Sequence, residues 1–151
     1  MRVRQIAIAI IILALPVAFV YQTLAGGQPL ARDDASSMVY PFFHALDASV
    51  DDGRLYLWDA QQWCGLPAMA RGEVGSLYPP HLLLAWALPW LAALHAGYWL
   101  HLVLGAAATY WVARNLHTSR PGALVAGAAF AFSGYQCAHL IPFAHLVGVA
   151  Y

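Results

Sequence analysis

The chain has 151 residues, of which 62% are hydrophobic and only 9% are charged. Ordinary soluble domains carry about 25% charged residues, so this composition excludes that class and indicates a membrane protein. Seven basic and seven acidic residues leave no net charge, which argues against a nucleic-acid-binding protein, and the many aromatic residues argue against disorder.

The charged residues are sorted along the chain. All seven acids lie within residues 32–73, together with three of the arginines, so this stretch carries a net charge of −4. The remaining arginines flank the apolar runs: Arg2, Arg4, Arg114 and Arg120. Because arginine-rich flanks stay on the cytoplasmic side, the pattern predicts that the acidic stretch is exported.

The first apolar run predicts a membrane crossing within residues 1–24, with its helix near 4–24, close to the roughly 20 residues that span hydrocarbon. The charge asymmetry places the N-terminus in the cytoplasm and residues 25–96 in a first outer loop. A cleaved signal peptide is the alternative interpretation of this run, and it also exports the acidic stretch.

Two helices are predicted within the outer loop. The first covers residues 41–52, because Pro41 suits a first helical position and Gly53 suits the residue just past a helix end. Its apolar residues fall on one side, which we expect to lie on the membrane: Phe42, Phe43, Leu46 and Val50. An aromatic cluster that follows is also expected at the bilayer surface: Leu55, Tyr56, Leu57, Trp58 and Trp63.

The second outer helix is predicted over residues 78–94. Pro79 and Pro80 can only open a helix, and Pro89 breaks its middle, so the pieces are too short to span. Trp86 and Trp90 are one turn apart, as expected of a helix resting in the membrane interface.

The next apolar runs predict a second crossing over residues 97–113, a cytoplasmic loop over 114–120 and a third crossing over 121–138. If residues 77–113 crossed the membrane twice, Arg114 and Arg120 would lie outside, so we favour a single crossing in this stretch. Small residues in the third crossing should let helices approach closely: Gly122, Ala123, Ala126, Gly127 and Ala128. Residues 139–151 are expected to begin a further outer or membrane-associated segment of a longer protein.

Asp33 and Asp34 are the main candidates for a catalytic or metal-binding role. Their carboxylates, just beyond the first crossing, could hold a divalent ion against a lipid phosphate or accept a proton from an attacking hydroxyl. The alternative is that one of them caps a helical turn that begins at Ala35. Asp51 and Asp52 are expected to form a solvated turn, and the roles of Asp47 and Asp59 stay open.

The histidines give weaker signals. His139 and His145 are six residues apart, which does not fit metal binding on one helix face, so we favour structural or interfacial roles for both. His101 is a polar residue within a predicted crossing and therefore a functional candidate, although a backbone carbonyl could satisfy it. Cys64 and Cys137 have neither the number nor the spacing of a disulfide scaffold or zinc motif.

An ordered set of short motifs resembles the start of bacterial YfhO-like membrane proteins. The set comprises Asp33-Asp34, Tyr40-Pro41-Phe42-Phe43, Gly53-Arg54-Leu55-Tyr56-Leu57-Trp58, Cys64-Gly65-Leu66-Pro67, Leu77-Tyr78-Pro79-Pro80, Ala113-Arg114 and Phe132-Ser133-Gly134-Tyr135. Where the family pattern usually reads Leu-Pro-Leu-Trp-Asn-Pro, this chain has Asp59 and Ala60 at the last two positions, which changes the turn and adds a charge.

The resemblance implies a relative of the GT-C glycosyltransferases, which transfer sugar from a polyprenyl-phosphate carrier outside the cytoplasmic membrane. The expected protein is therefore all-α and polytopic, in the bacterial cytoplasmic membrane, with an envelope acceptor and with a divalent metal ion as the candidate cofactor. Asp33 and Asp34 match the family's essential acid in the first outer loop. The alternative is a non-enzymatic membrane protein, a lipid-linked sugar transporter or an assembly scaffold, in which these acids only solvate the loop.

Overall fold

The structure is a computed structural model that describes residues 35–71 and 75–139 and a few scattered positions before them. These residues are mostly helical and contain no β-strand, which confirms the all-α prediction for this part of the chain. The predicted first crossing, 1–24, and the predicted final segment, from residue 140 onward, lie outside the described ranges.

Helix α1, Tyr40–Asp51, follows a π-helical turn, Ala35–Val39. Pro41 lies in its first turn, and Gly53 follows its end with φ +67°, so the predicted bounds of 41–52 hold within one residue. Its apolar side was expected on the membrane, and that expectation is wrong: Phe42, Phe43 and Leu46 are buried against other helices of the protein.

The chain after α1 forms an irregular loop that leads to the short helix α2, Ala68–Arg71. Asp59 and Leu66 exchange two backbone hydrogen bonds of 2.8 Å, which close the loop on itself. The chain reverses between them through three consecutive residues of positive φ: Trp63, Cys64 and Gly65. Left-handed backbone is unfavourable for non-glycine residues by about 1 kcal/mol each, so this turn is held by its surroundings.

Helices α3, Pro79–Ala87, and α4, Trp90–Asn115, are separated at Leu88 and Pro89. The break at Pro89 was predicted, but the outer helix does not extend to residue 94, because residues 90–94 already belong to α4. A proline opens a helix without losing a hydrogen bond, so the segment after Pro89 joins the following apolar run. At about 1.5 Å per residue, α4 is about 39 Å long.

Within the described ranges, α4 is the one helix long and apolar enough to cross a membrane, with a mean hydropathy of 1.4 and half of its most apolar window buried. Helix α5, Arg120–Ala131, begins at Ser119, whose side chain accepts the Gly122 N–H at 3.2 Å. The predicted crossing over 121–138 is interrupted at Phe132 and Ser133, after which α6 runs Gly134–His139.

The closest helix packing in the described residues joins α4 to α5. Ala123, Gly127 and Ala131 recur every four residues along α5 and are buried. A Cβ atom at Gly127 would lie 2.7 Å from the carbonyl oxygen of Ala106, so the two backbones approach as closely as a glycine allows. The small residues of the sequence therefore set the spacing of these two helices, as predicted.

Candidate functional site

The predicted site residues Asp33 and Asp34 lie outside the described residues, immediately before the π-helical turn at Ala35. Asp51 and Asp52 are exposed at the end of α1, as a solvated turn requires. In the part of the chain that the structure describes, no group of three or more histidine, cysteine or acidic side chains could hold a metal ion. His139 is the last residue of α6, and His145 lies beyond the described range.

A groove of about 460 Å³ with a mixed polar and apolar lining lies between α1 and the loop that follows it. One wall is the face of α1 that carries His44, Ala48 and Asp52, which are four residues apart and therefore aligned. The other wall is the chain segment 54–61. We refer to this space as the loop groove. It has the volume of a small-molecule site, for which about 300–1,000 Å³ is typical.

Asp59 is the buried charge of the loop groove, with 5% of its surface exposed. Its Oδ1 accepts the backbone N–H of Gln61 at 2.8 Å, and its own backbone pairs with Leu66. The acid therefore makes the kind of side-chain turn that aspartate and asparagine both make, and it adds a carboxyl group to the lining of the groove.

Trp58 forms part of the same wall. Its indole packs over Gly65, where a Cβ atom would lie 2.9 Å from the ring, yet 60% of the residue remains exposed. Arg54 makes an ion pair with Asp52 at the mouth of the groove. The groove thus combines an exposed aromatic ring with acidic and basic side chains.

Burial raises the pKa of the Asp47 carboxyl above its usual 3.8, and the nearby charge of Asp51 raises it further. His44, one turn earlier, opposes this shift. Asp47 therefore holds its proton more strongly than a free aspartate, but it does not line the loop groove. The sequence left the role of Asp47 open, and it stays open.

A second polar constellation lies between α3 and α4, where Tyr78, His81 and His101 meet; we refer to it as the His–Tyr cluster. His101 Nδ1 lies 2.7 Å from the Gly97 carbonyl oxygen, and Nε2 lies 2.8 Å from the Tyr78 hydroxyl. The His81 ring stands perpendicular to Tyr78, with centroids 4.8 Å apart. The carbonyl expected to satisfy His101 is present, one turn earlier on its own helix.

Sequence reasoning missed the loop groove and His81. The groove forms only where the loop folds back onto α1. His81 meets His101 only through the contact of α3 with α4, and the two residues are distant in the sequence. The one usable signal was Asp59, which together with Ala60 predicted a changed turn and an added charge but not a groove.

Comparison of the chain with protein-family models, with curated proteins and with solved structures finds no match in any of the three.

Proposed function

We propose that this chain belongs to a polytopic, GT-C-like membrane protein of the bacterial cytoplasmic membrane that transfers sugar from a polyprenyl-phosphate carrier to a cell-envelope acceptor. In this proposal α4 is a crossing, and the acidic stretch before it faces outward. The proposal keeps residues 1–24 and 121–138 as the other crossings, although the second of these is interrupted at Phe132 and Ser133. The proposal rests on the ordered motifs and on one structural observation, the docking of α1 on α4.

That docking fixes the segment that follows Asp33 and Asp34. Phe42 and Leu46 of α1 share one buried cluster with Leu94, Tyr98 and Leu102 of α4. These α4 residues lie in its first half, the end that the charge pattern places outside. This contact supports the proposal, because it brings the chain that follows the acidic pair to the end of α4 that the proposal puts outside, where a carrier phosphate would lie.

A carboxylate in this position suits the reaction. The acceptor hydroxyl forms a bond to the anomeric carbon as its proton passes to the aspartate, and the bond from that carbon to the carrier phosphate breaks, leaving the electron pair on the phosphate oxygen. A divalent ion held by Asp33 or Asp34 would stabilise a pyrophosphate leaving group in particular. We propose Asp33 and Asp34 as the candidates for both roles.

The test measures transfer from a polyprenyl-phosphate-linked hexose in membranes that contain the protein. Asp33→Asn, Asp34→Asn and the control Asp51→Asn are compared at matched amounts of protein in the membrane. At least one of the first two variants should lose about 100-fold or more in rate, while the control transfers normally, because loss of a general base removes transition-state stabilisation. Near-normal transfer by both overturns the catalytic assignment, and no transfer by the unaltered protein favours the transporter or scaffold.

A further inference from the structure

We infer, on the basis of the proposed crossing of α4, that α3 is inserted into the outer leaflet of the membrane and that its outward face contacts lipid acyl chains. The sequence predicts only a helix that rests in the membrane interface. Three observations lead further: the placement of polar side chains on α3, its position beside α4, and the contrast with α1.

Helix α3 turns its one polar side chain toward the protein. His81 is 2% exposed, and Leu82 and Leu84 pack against the core. The exposed residues of α3 are all apolar, and two of them are large, with Leu83 64% and Trp86 76% exposed. A helix that rests on a membrane surface keeps a polar face toward water, and α3 has no such face. Its outward side suits hydrocarbon.

Helix α3 folds back along the outer half of α4. The ring centroids of His81 and His101 lie 6.0 Å apart, and the Tyr78 hydroxyl lies 2.8 Å from His101 Nε2. Only Leu88 and Pro89 join α3 to α4. The beginning of α3 is therefore level with His101, about 17 Å along α4 from its first residue.

The length of α4 gives the depth of this level in the membrane. With Arg114 at the inner boundary, hydrocarbon of about 30 Å covers about 20 residues of helix and reaches back to about residue 94. His101 then lies about 10 Å inside the outer boundary, and α3 rises from that depth toward the surface. Residues 74–113 include no charged residue, so no charge opposes the insertion.

The polar groups that join α3 to α4 at this depth have partners within the protein. His101 contacts the Gly97 carbonyl oxygen through Nδ1 at 2.7 Å and the Tyr78 hydroxyl through Nε2. In the turn before α3, the Tyr78 N–H donates to the Gly75 carbonyl oxygen at 2.8 Å. Non-helical backbone and ionisable side chains are tolerated in a bilayer when the protein supplies their hydrogen bonds.

Helix α1 packs on the same half of α4, but its outward face is polar, with His44 and Asp51 exposed. Such side chains are costly against lipid, so the side of α4 that α1 covers faces water. The outer half of α4 thus has a water side, covered by α1, and a lipid side, covered by α3.

The experiment attaches one spin label at a time to the whole chain, with Cys64 and Cys137 replaced by serine, in vesicles of palmitoyl-oleoyl phosphatidylcholine. Electron paramagnetic resonance measures the collisions of each label with oxygen, which dissolves in lipid, and with a nickel chelate, which stays in water. The test position is Leu83→Cys on α3. The matched control is Ala48→Cys, exposed on α1.

We expect the ratio of oxygen to nickel collisions at Leu83 to exceed the ratio at Ala48 about tenfold or more, because hydrocarbon takes up the apolar gas and excludes the polar chelate. Trp86→Cys, nearer the outer boundary, should give a ratio between the two. If the Leu83→Cys protein does not fold, as judged by circular dichroism, the label at Trp86 decides the same comparison with Ala48.

Nickel access at Leu83 equal to that at Ala48 would overturn the inference. Protection of Leu83 from both reagents would also overturn it, because a second copy of the chain or another protein segment would then cover α3. Trp111→Cys, exposed further along α4, separates the inference from the proposed crossing. Lipid at Trp111 with water at Leu83 contradicts the insertion of α3 alone, whereas water at both positions contradicts the crossing itself.

Discussion

The Tyr78 hydroxyl and His101 Nε2 lie 2.8 Å apart, and this hydrogen bond joins the residue before α3 to the middle of α4. A carbonyl oxygen only accepts, so the contact to Gly97 places the proton of a neutral His101 ring on Nδ1. Nε2 then accepts from Tyr78. The hydrogen bond therefore links Tyr78 to α4, the helix that is long enough to cross a membrane.

We predict that Tyr78 and His101 are energetically coupled. In a double-mutant cycle with Tyr78→Phe and His101→Leu, the coupling in the free energy of unfolding should be about 0.6–1.5 kcal/mol, the range of hydrogen bonds in proteins and bilayers. The measurement is reversible unfolding in mixed micelles. Tyr110→Phe, further along α4, serves as the matched control and should show no coupling to His101. Additive effects of Tyr78→Phe and His101→Leu would show that the contact contributes nothing.

A second prediction concerns the spacing of α4 and α5. Gly127→Val should destabilise the protein by about 1–3 kcal/mol, because the added carbon atoms meet the Ala106 carbonyl and the backbones must separate. Gly134→Ala is the control, since a Cβ atom there has nothing within 4 Å. Both variants are compared by thermal unfolding in one detergent. Equal stability of the two would mean that these helices are not in close contact.

The third prediction concerns the pKa of Asp47, which is raised above 3.8 mainly by burial and then by Asp51. A carboxyl with a raised folded-state pKa stabilises the fold at low pH, and that contribution is lost as the pH rises through the folded pKa. Asp51→Asn should therefore lower the Asp47 pKa, observed by carbon NMR of the side-chain carboxyl, while Asp52→Asn should leave it unchanged. An identical Asp47 titration in both variants would contradict the assigned cause.

The fourth prediction compares two glycines of positive φ. Gly53→Ala should cost about 1 kcal/mol, the penalty for a side chain in left-handed backbone, because nothing lies within 4 Å of its Cβ position. Gly65→Ala should cost more and should also displace the Trp58 ring, which lies 2.9 Å from the new carbon. Unfolding measurements give the first difference. The fluorine NMR signal of Trp58 in protein labelled with 5-fluorotryptophan, assigned by its loss in Trp58→Phe, gives the second. An unmoved Trp58 signal in Gly65→Ala would contradict the packing.

The sequence was most informative where local chemistry decides the structure. Pro41 and Gly53 bracket α1 because one suits a helix start and the other a left-handed residue after its end. The break at Pro89 and the close packing at Gly127 were likewise readable, since each depends on one residue's backbone or size.

The wrong prediction for α1 has a physical cause: the sequence shows that a helix has an apolar face but does not show which surface that face packs against. The periodicity of Phe42, Phe43 and Leu46 predicts a buried face, but it does not distinguish lipid from protein, and the face packs on α4. The loop groove was unreadable for a related reason. It depends on the return of Leu66 to Asp59, a pairing that local residue types do not specify.

The central claim is that α4 crosses the membrane and separates an exported acidic stretch from a cytoplasmic loop. Cys64 is exposed in the loop after α1, and Thr118 is exposed beyond the other end of α4. An impermeant thiol reagent is applied to intact cells in which Cys137 is replaced by serine. Cys64 should react, whereas Thr118→Cys in a Cys64→Ser background should react only after permeabilisation. Labelling of position 118 in intact cells with protection of Cys64 would contradict the account.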